Sequence, residues 1–142
     1  MRNVSHILER KGASIISVAP NQTVMQALTV MAEKNIGSVL VMEGDKYVGL
    51  LTERDYARKV ILKGRSSTDT LVKDIMSTDL PEISPLQSLD QCMQIMSQHN
   101  VRYLPVFSDA KICGIISIID VVTETLNAQK ETIDHLQHYI QS

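Results

Sequence analysis

Adding 65 to a residue number carries the first half of the chain onto the second without a gap, and this internal repeat limits the fold more than any other feature. Pro20 falls on Pro85. Gln26, Met31, Asn35, Val41, Lys46, Gly49 and Asp55 fall on Gln91, Met96, Asn100, Val106, Lys111, Gly114 and Asp120 in the same register. The period is longer than those of the usual solenoids and only two copies are present, so the chain predicts duplicated half-domains packed about a pseudo-two-fold axis. Its 142 residues suit one such unit, with the first copy over 1–64, including an N-terminal segment, and the second over 65–142, including a C-terminal helix.

Each copy reads as strand, helix, strand, strand, helix, a mixed α/β arrangement. A short strand and loop, "ISVAPNQT", leads to Thr23 and Gln26, spaced as a capping box, and Ser88 and Gln91 repeat that spacing. The following helices carry Val24, Ala27, Leu28 and Met31 in one copy and Leu89, Cys92, Met93 and Met96 in the other. This is the i, i+3, i+4, i+7 stripe of a buried face, so the methionines and Cys92 read as core. Two apolar runs joined by a turn-prone "EGDK" predict a hairpin, matched by "LPVF", "SDAK" and "ICGII". Aperiodic "KGRSSTDT" at 63–70 reads as the linker. The last helix places Val122, Leu126, Ile133, Leu136 and Ile140 at spacings of threes and fours, interrupted at Gln129. A short coiled-coil seam and a helix folded back on its own domain both fit this pattern.

The most informative motif is "GLLTERD" at 49–55, which recurs as "GIISIID" at 114–120: glycine, two apolar residues, a hydroxyl, two variable positions, aspartate. By itself, Thr52 with Asp55 is a capping box and nothing more. Its duplication in register, with Ser117 and Asp120 in the second copy, favours a paired binding site in which hydroxyl and carboxylate meet a ligand near a helix N-terminus. Arg54 and Arg58 lie four apart on the helix starting at Glu53, so both guanidiniums can meet phosphate; a solvated charged face is the plainer alternative. Ile118 and Ile119 replace Glu53 and Arg54 in the second copy, which makes the two sites unequal.

Other functions find little footing. With 14 basic and 16 acidic residues, a net charge of -2, no Trp and one Phe, the chain lacks the basic surface and stacking platforms of a nucleic-acid binder or an anionic-membrane binder. No segment approaches the ~18 apolar residues of a membrane span, and the N-terminal stretch lacks the apolar core of a signal peptide, so a cytoplasmic protein is expected. No GxSxG, HExxH, P-loop or GxGxxG motif is present, and catalysis and a catalytic cofactor are not expected. His135 and His138 share a helix face but do not make a zinc site, which takes three or four ligands, so no metal is expected.

The doubled "G-h-h-[TS]-x-x-D" endings, the "NVRYLPV" strand and the "SVAP" and "EISP" segments together resemble a tandem pair of cystathionine-β-synthase (CBS) domains, a Bateman module, across nearly the whole chain. "TERDYARKV" with the following "GRSS" and "DIM" is similar to a small stand-alone bacterial and organellar subclass. The resemblance implies a regulatory module with an adenine nucleotide such as AMP, NAD(H) or ATP in clefts between the repeats. It implies that Asp55 and Asp120 bind ribose hydroxyls, that Thr52 and Ser117 lie near phosphate, and that Arg102 faces phosphate. Ile16, Ser17 and Val18 would form an adenine wall. Tyr103 either stacks on a base or covers the core. A homodimer acting on another protein is the expected partner arrangement, and a ligand-free assembly module is the alternative.

Overall fold

A computed structural model describes residues 2–12 and 15–141. Helix α1 (Val4–Lys11) precedes the first repeat, which comprises strand β1 (Ser17–Val18), helix α2 (Val24–Lys34), the hairpin β2 (Ser38–Glu43) and β3 (Lys46–Thr52), and helix α3 (Glu53–Tyr56). Helix α3 runs on into a π-helical turn, Ala57–Ile61. A 3-10 turn, Val72–Asp74, opens the second repeat, followed by helix α4 (Leu89–His99), the hairpin β4 (Tyr103–Ser108) and β5 (Lys111–Ser117), and helix α5 (Ile118–Gln141).

The expected caps form in both copies. Thr23 accepts from the amide of Gln26 at 3.1 Å while Gln26 Oε1 accepts from the amide of Thr23 at 2.9 Å. Ser88 and Gln91 do the same at 3.1 and 3.0 Å. Each helix then stops at an asparagine in the left-handed region, Asn35 (φ 54°) and Asn100 (φ 52°), a conformation asparagine tolerates better than most residues. The amide that opens each second helix returns to the start of the hairpin, Glu53 to the Gly37 carbonyl at 3.1 Å and Ile118 to the Arg102 carbonyl at 2.9 Å.

The first repeat forms a three-stranded sheet in the order β1-β2-β3, β1 parallel to β2, while the second forms the two-stranded β4-β5. The strand expected at "EISP" shrinks to a single parallel bridge between Ile83 and Val106. Pro105 stands where the first copy has Leu40, which pairs with Ser17, and proline has no N–H to continue that ladder.

The cores cross the sequence boundary. Val72 and Ile75, which lead into the second repeat, are buried with Val24, Val39 and Leu51 of the first. Val4 and Ile7 of α1, which leads into the first, are buried with Leu89, Leu104 and Ile116 of the second. Cys92 belongs to this second core, and burial raises its thiol pKa to about 11. Backbone bonds follow the same exchange: the amides of Val4 and Ser5 donate to the carbonyls of Gln87 and Pro85, and those of Val24 and Met25 to Thr70 and Ser67. Tyr47 and Phe107 meet edge to face at 5.2 Å between the repeats.

Helix α5 settles one open point. Its first turns bury Val121 and Glu124, but Leu126, Ile133, Leu136 and Ile140 are 55–79% exposed, so the apolar stripe of the outer part is not packed on the domain, which Glu131 touches through its ion pair with Arg2. Among the described residues no helix is long and apolar enough to cross a membrane.

Candidate functional site

Two clefts lie between the repeats, each ending at one of the repeated aspartates. The first, about 210 Å³, is lined by Thr52, Arg54, Asp55, Ser77, Arg102 and Tyr103 among others. The second, about 600 Å³, brings together Ile16, Gly37, Arg102, Tyr103, Ser117 and Asp120. A third and larger concavity, about 940 Å³, separates the start of α1 from the outer half of α5 and includes none of the expected site residues.

In the first cleft Thr52 ends β3 and caps α3. Its amide and hydroxyl both donate to Asp55 Oδ2 at 3.0 Å, and its hydroxyl accepts from the Asp55 amide at 3.0 Å. The other oxygen, Oδ1, accepts from Lys59 Nζ at 2.9 Å and from Ser77 Oγ at 2.8 Å. Lys59 also donates to the carbonyl of Ile75 at 3.0 Å. Asp55 is 5% exposed, so this acceptor-only group has its bonds inside the fold. Ser77 reaches it because Leu50 and Ser77 exchange backbone hydrogen bonds of 2.9 and 2.8 Å, laying the segment that follows the Val72–Asp74 turn along β3.

That approach explains Gly49. A Cβ there would lie 2.9 Å from both Met76 Sδ and the Ser77 carbonyl, closer than side chains tolerate.

The second cleft repeats the hydroxyl–acid geometry with different surroundings. The Ser117 amide donates to Asp120 Oδ2 at 2.8 Å, and Ser117 Oγ accepts from the Asp120 amide at 3.0 Å. The cation comes from α1: Lys11 Nζ donates to Asp120 Oδ2 and to the Ile115 carbonyl, both at 2.9 Å. Among the described residues Oδ1 of Asp120 makes no hydrogen bond, and the side chain retains 14% exposure. Four residues after Asp120 stands Glu124, where the first copy has Lys59. Glu124 is buried, paired with Arg2 at 3.1 Å and Arg10 at 3.2 Å.

Tyr103 sits between the clefts and lines both. Its hydroxyl lies against the backbone of Gly37, where a Cβ would come within 2.2 Å. Burial raises its pKa, reinforced by Glu53 and Asp120 on either side and opposed by Arg102.

The structure thus gathers Ile16, Arg102, Tyr103, Ser117 and Asp120 at one cleft and Thr52, Arg54, Asp55, Arg102 and Tyr103 at the other. Arg54 donates from Nη1 to the Asn100 carbonyl at 2.6 Å, which joins α3 to the second repeat. Arg58 is exposed and lines neither cleft; Ser17 is likewise exposed, and Val18 is buried in the core of the first repeat. Lys11, Gly37, Lys59 and Ser77 were not among the expected site residues. The i, i+4 spacing of Asp55 and Lys59 was a readable signal for one of them. Among the described residues no group of three or more metal-ligating side chains forms.

A family model of the CBS domain matches residues 4–62 and 72–127. The CBS domain-containing protein CBSX3, mitochondrial, of Arabidopsis thaliana is 34% identical across an alignment covering 97% of this chain and 71% of its own. The CBS domain-containing protein YhcV of Bacillus subtilis is 32% identical over 87% of this chain and 88% of its own. Among solved structures, a protein with CBS domains from Burkholderia ambifaria superposes with a TM-score of 0.85 at 44% identity, covering 90% of this chain and 96% of that one. The doubled hydroxyl–acid motif, the crossed cores and these matches lead to one conclusion: the chain belongs to the CBS domain family and carries two such domains in tandem.

Proposed function

We propose that this CBS pair is a regulatory module that binds an adenine nucleotide between its repeats and signals by a change of conformation or assembly. The observation that carries the proposal is the Asp120 cleft, whose volume of about 600 Å³ falls within the ~300–1,000 Å³ of small-molecule sites. Its isoleucines, Ile16, Ile36 and Ile118 among them, offer an apolar wall for a base, while Asp120, Ser117 and Arg102 are polar groups of the kinds a ribose and a phosphate need. A carboxylate accepts from both vicinal hydroxyls of a ribose, each charge-assisted bond contributing about 1.5–3 kcal/mol. AMP and NAD lead the candidates because Arg102 and Lys11 favour a phosphate, whereas cationic S-adenosylmethionine gains nothing from them.

The test is a thermal-shift panel with AMP, ADP, ATP, NAD, NADH and S-adenosylmethionine. A ligand at 100 times its Kd stabilises the fold by about 2.7 kcal/mol, and a 2′-deoxy analogue should shift the transition less than its ribose parent. Equal shifts for the two sugars would remove the carboxylate from the ribose.

A second reading is a ligand-free assembly module, favoured by the apolar stripe left uncovered on the outer part of α5. It predicts no response to any member of the panel. Both readings involve a homodimer, the first as the body that transmits the ligand's effect.

A further inference from the structure

The two repeated aspartates occupy matching places but are held in different ways. We propose that the chain takes one nucleoside phosphate, in the Asp120 cleft alone, and that Asp55 is instead the acid that fastens the inter-repeat segment to the first repeat. The proposal rests on the nucleotide-binding reading above and narrows it to a single site.

Acceptor capacity is the first ground. Asp55 holds four partners at 2.8–3.0 Å, two on each oxygen. For Asp55 to take a ribose diol, Lys59 and Ser77 must both leave Oδ1, while Oδ2 stays committed to the amide and hydroxyl of Thr52, so a ligand here has to displace existing bonds instead of meeting an open acceptor. Asp120 keeps Oδ1 free of hydrogen bonds among the described residues, so a ribose hydroxyl can be accepted there without displacing any of its present partners.

The cause lies four residues further on. Lys59 supplies Asp55 with a cation from its own helix, whereas Glu124 at the equivalent position cannot serve Asp120 and is itself neutralised by Arg2 and Arg10. Asp120 therefore depends on a lysine from α1, which ends directly before Gly12 at φ 87°.

Charge and size agree. Glu53, Asp55 and Asp79 line the smaller cleft with only Arg54 and Arg102 against them, a balance that disfavours a phosphate. At the larger cleft Asp120 is the one carboxylate in the lining, set against Lys11 and Arg102. The smaller cavity, about 210 Å³, also falls below the ~300 Å³ at which small-molecule sites begin.

Isothermal titration of the full chain with AMP, and separately with NAD, decides the question. One equivalent per chain is expected. Asp120→Asn should weaken that binding by about tenfold or more, an amount corresponding to the loss of roughly one charge-assisted hydrogen bond. Asp55→Asn and the milder Ser77→Ala should keep one equivalent with Kd within about threefold, while lowering the melting temperature of the unliganded chain; Ser77→Ala keeps the test valid if Asp55→Asn does not fold. Two equivalents per chain, or loss of binding in Ser77→Ala with an unchanged melting temperature, would overturn the single-site assignment and leave the nucleotide reading standing. No heat with either nucleotide, together with a flat thermal-shift panel, would overturn both.

Discussion

At Gly37 the backbone of the first repeat comes so near the hydroxyl of Tyr103 that a Cβ would lie 2.2 Å from it and 3.0 Å from Glu53 Oε1. Gly37→Ala must therefore push Tyr103 away from the seam between the clefts. We predict a loss of about 1–3 kcal/mol in urea denaturation, the usual cost of overpacking. Combining it with Tyr103→Phe, which removes the clashing oxygen, should recover at least half of that loss; purely additive effects would show that the residues are not in contact. Residues of this kind mark the limit of reading the sequence. Glycine opposite Arg102 was visible as a difference between the copies, but the reason for it is a side chain 66 positions away. Gly49 was legible as part of a motif, whereas its tight contact with Met76 and Ser77 depends on where the segment after the Val72–Asp74 turn lies.

The helices and hairpins were the most legible elements because their signals are local. Capping boxes at Thr23 and Ser88, the apolar stripes behind them and the turn residues between strands each act within a few positions and are found as expected, except that Met93, read as part of the buried stripe of α4, is 39% exposed. The change in pairing before α4 was legible in part: Pro105 in place of Leu40 marks a strand that pairs differently at its edge, though not that its partner shrinks to a single bridge. The engagement of Asp55 was legible only as far as its capping box with Thr52 and the i, i+4 spacing of Lys59; its bond to Ser77 depends on a serine 22 residues on. Helix α5 carries the prediction at this scale. Its Ile133, Leu136 and Ile140 are exposed, and they are the side chains that the proposed homodimer would pack together. Replacing Ile133 and Ile140 by Glu should turn a dimer into a monomer in sedimentation equilibrium without loss of helical circular dichroism, because neither side chain contributes to the buried core. An unchanged mass would exclude α5 as the dimer seam.

At the scale of the molecule, the hydrophobic pattern told which residues are buried but not against which partners, so the exchange of leading segments was invisible in it. Val4 and Ile7 complete the second core, and Val72 and Ile75 the first. Burying two such side chains contributes roughly 3–6 kcal/mol, comparable to the ~5–15 kcal/mol net stability of a domain. Fragments 1–64 and 65–142, cut at the boundary the repeat suggests, each lack the segment that fills their own core. At micromolar concentration each alone should give a poorly dispersed amide NMR spectrum, and mixing them should restore the native one as a one-to-one complex. A cooperative melt from either fragment alone would contradict this. A solitary repeat would close its interior only by handing its front segment to a twin, so its folding would depend on meeting one. Joining two copies in one polypeptide makes that meeting intramolecular, and the integrity of each half no longer varies with how dilute the protein becomes.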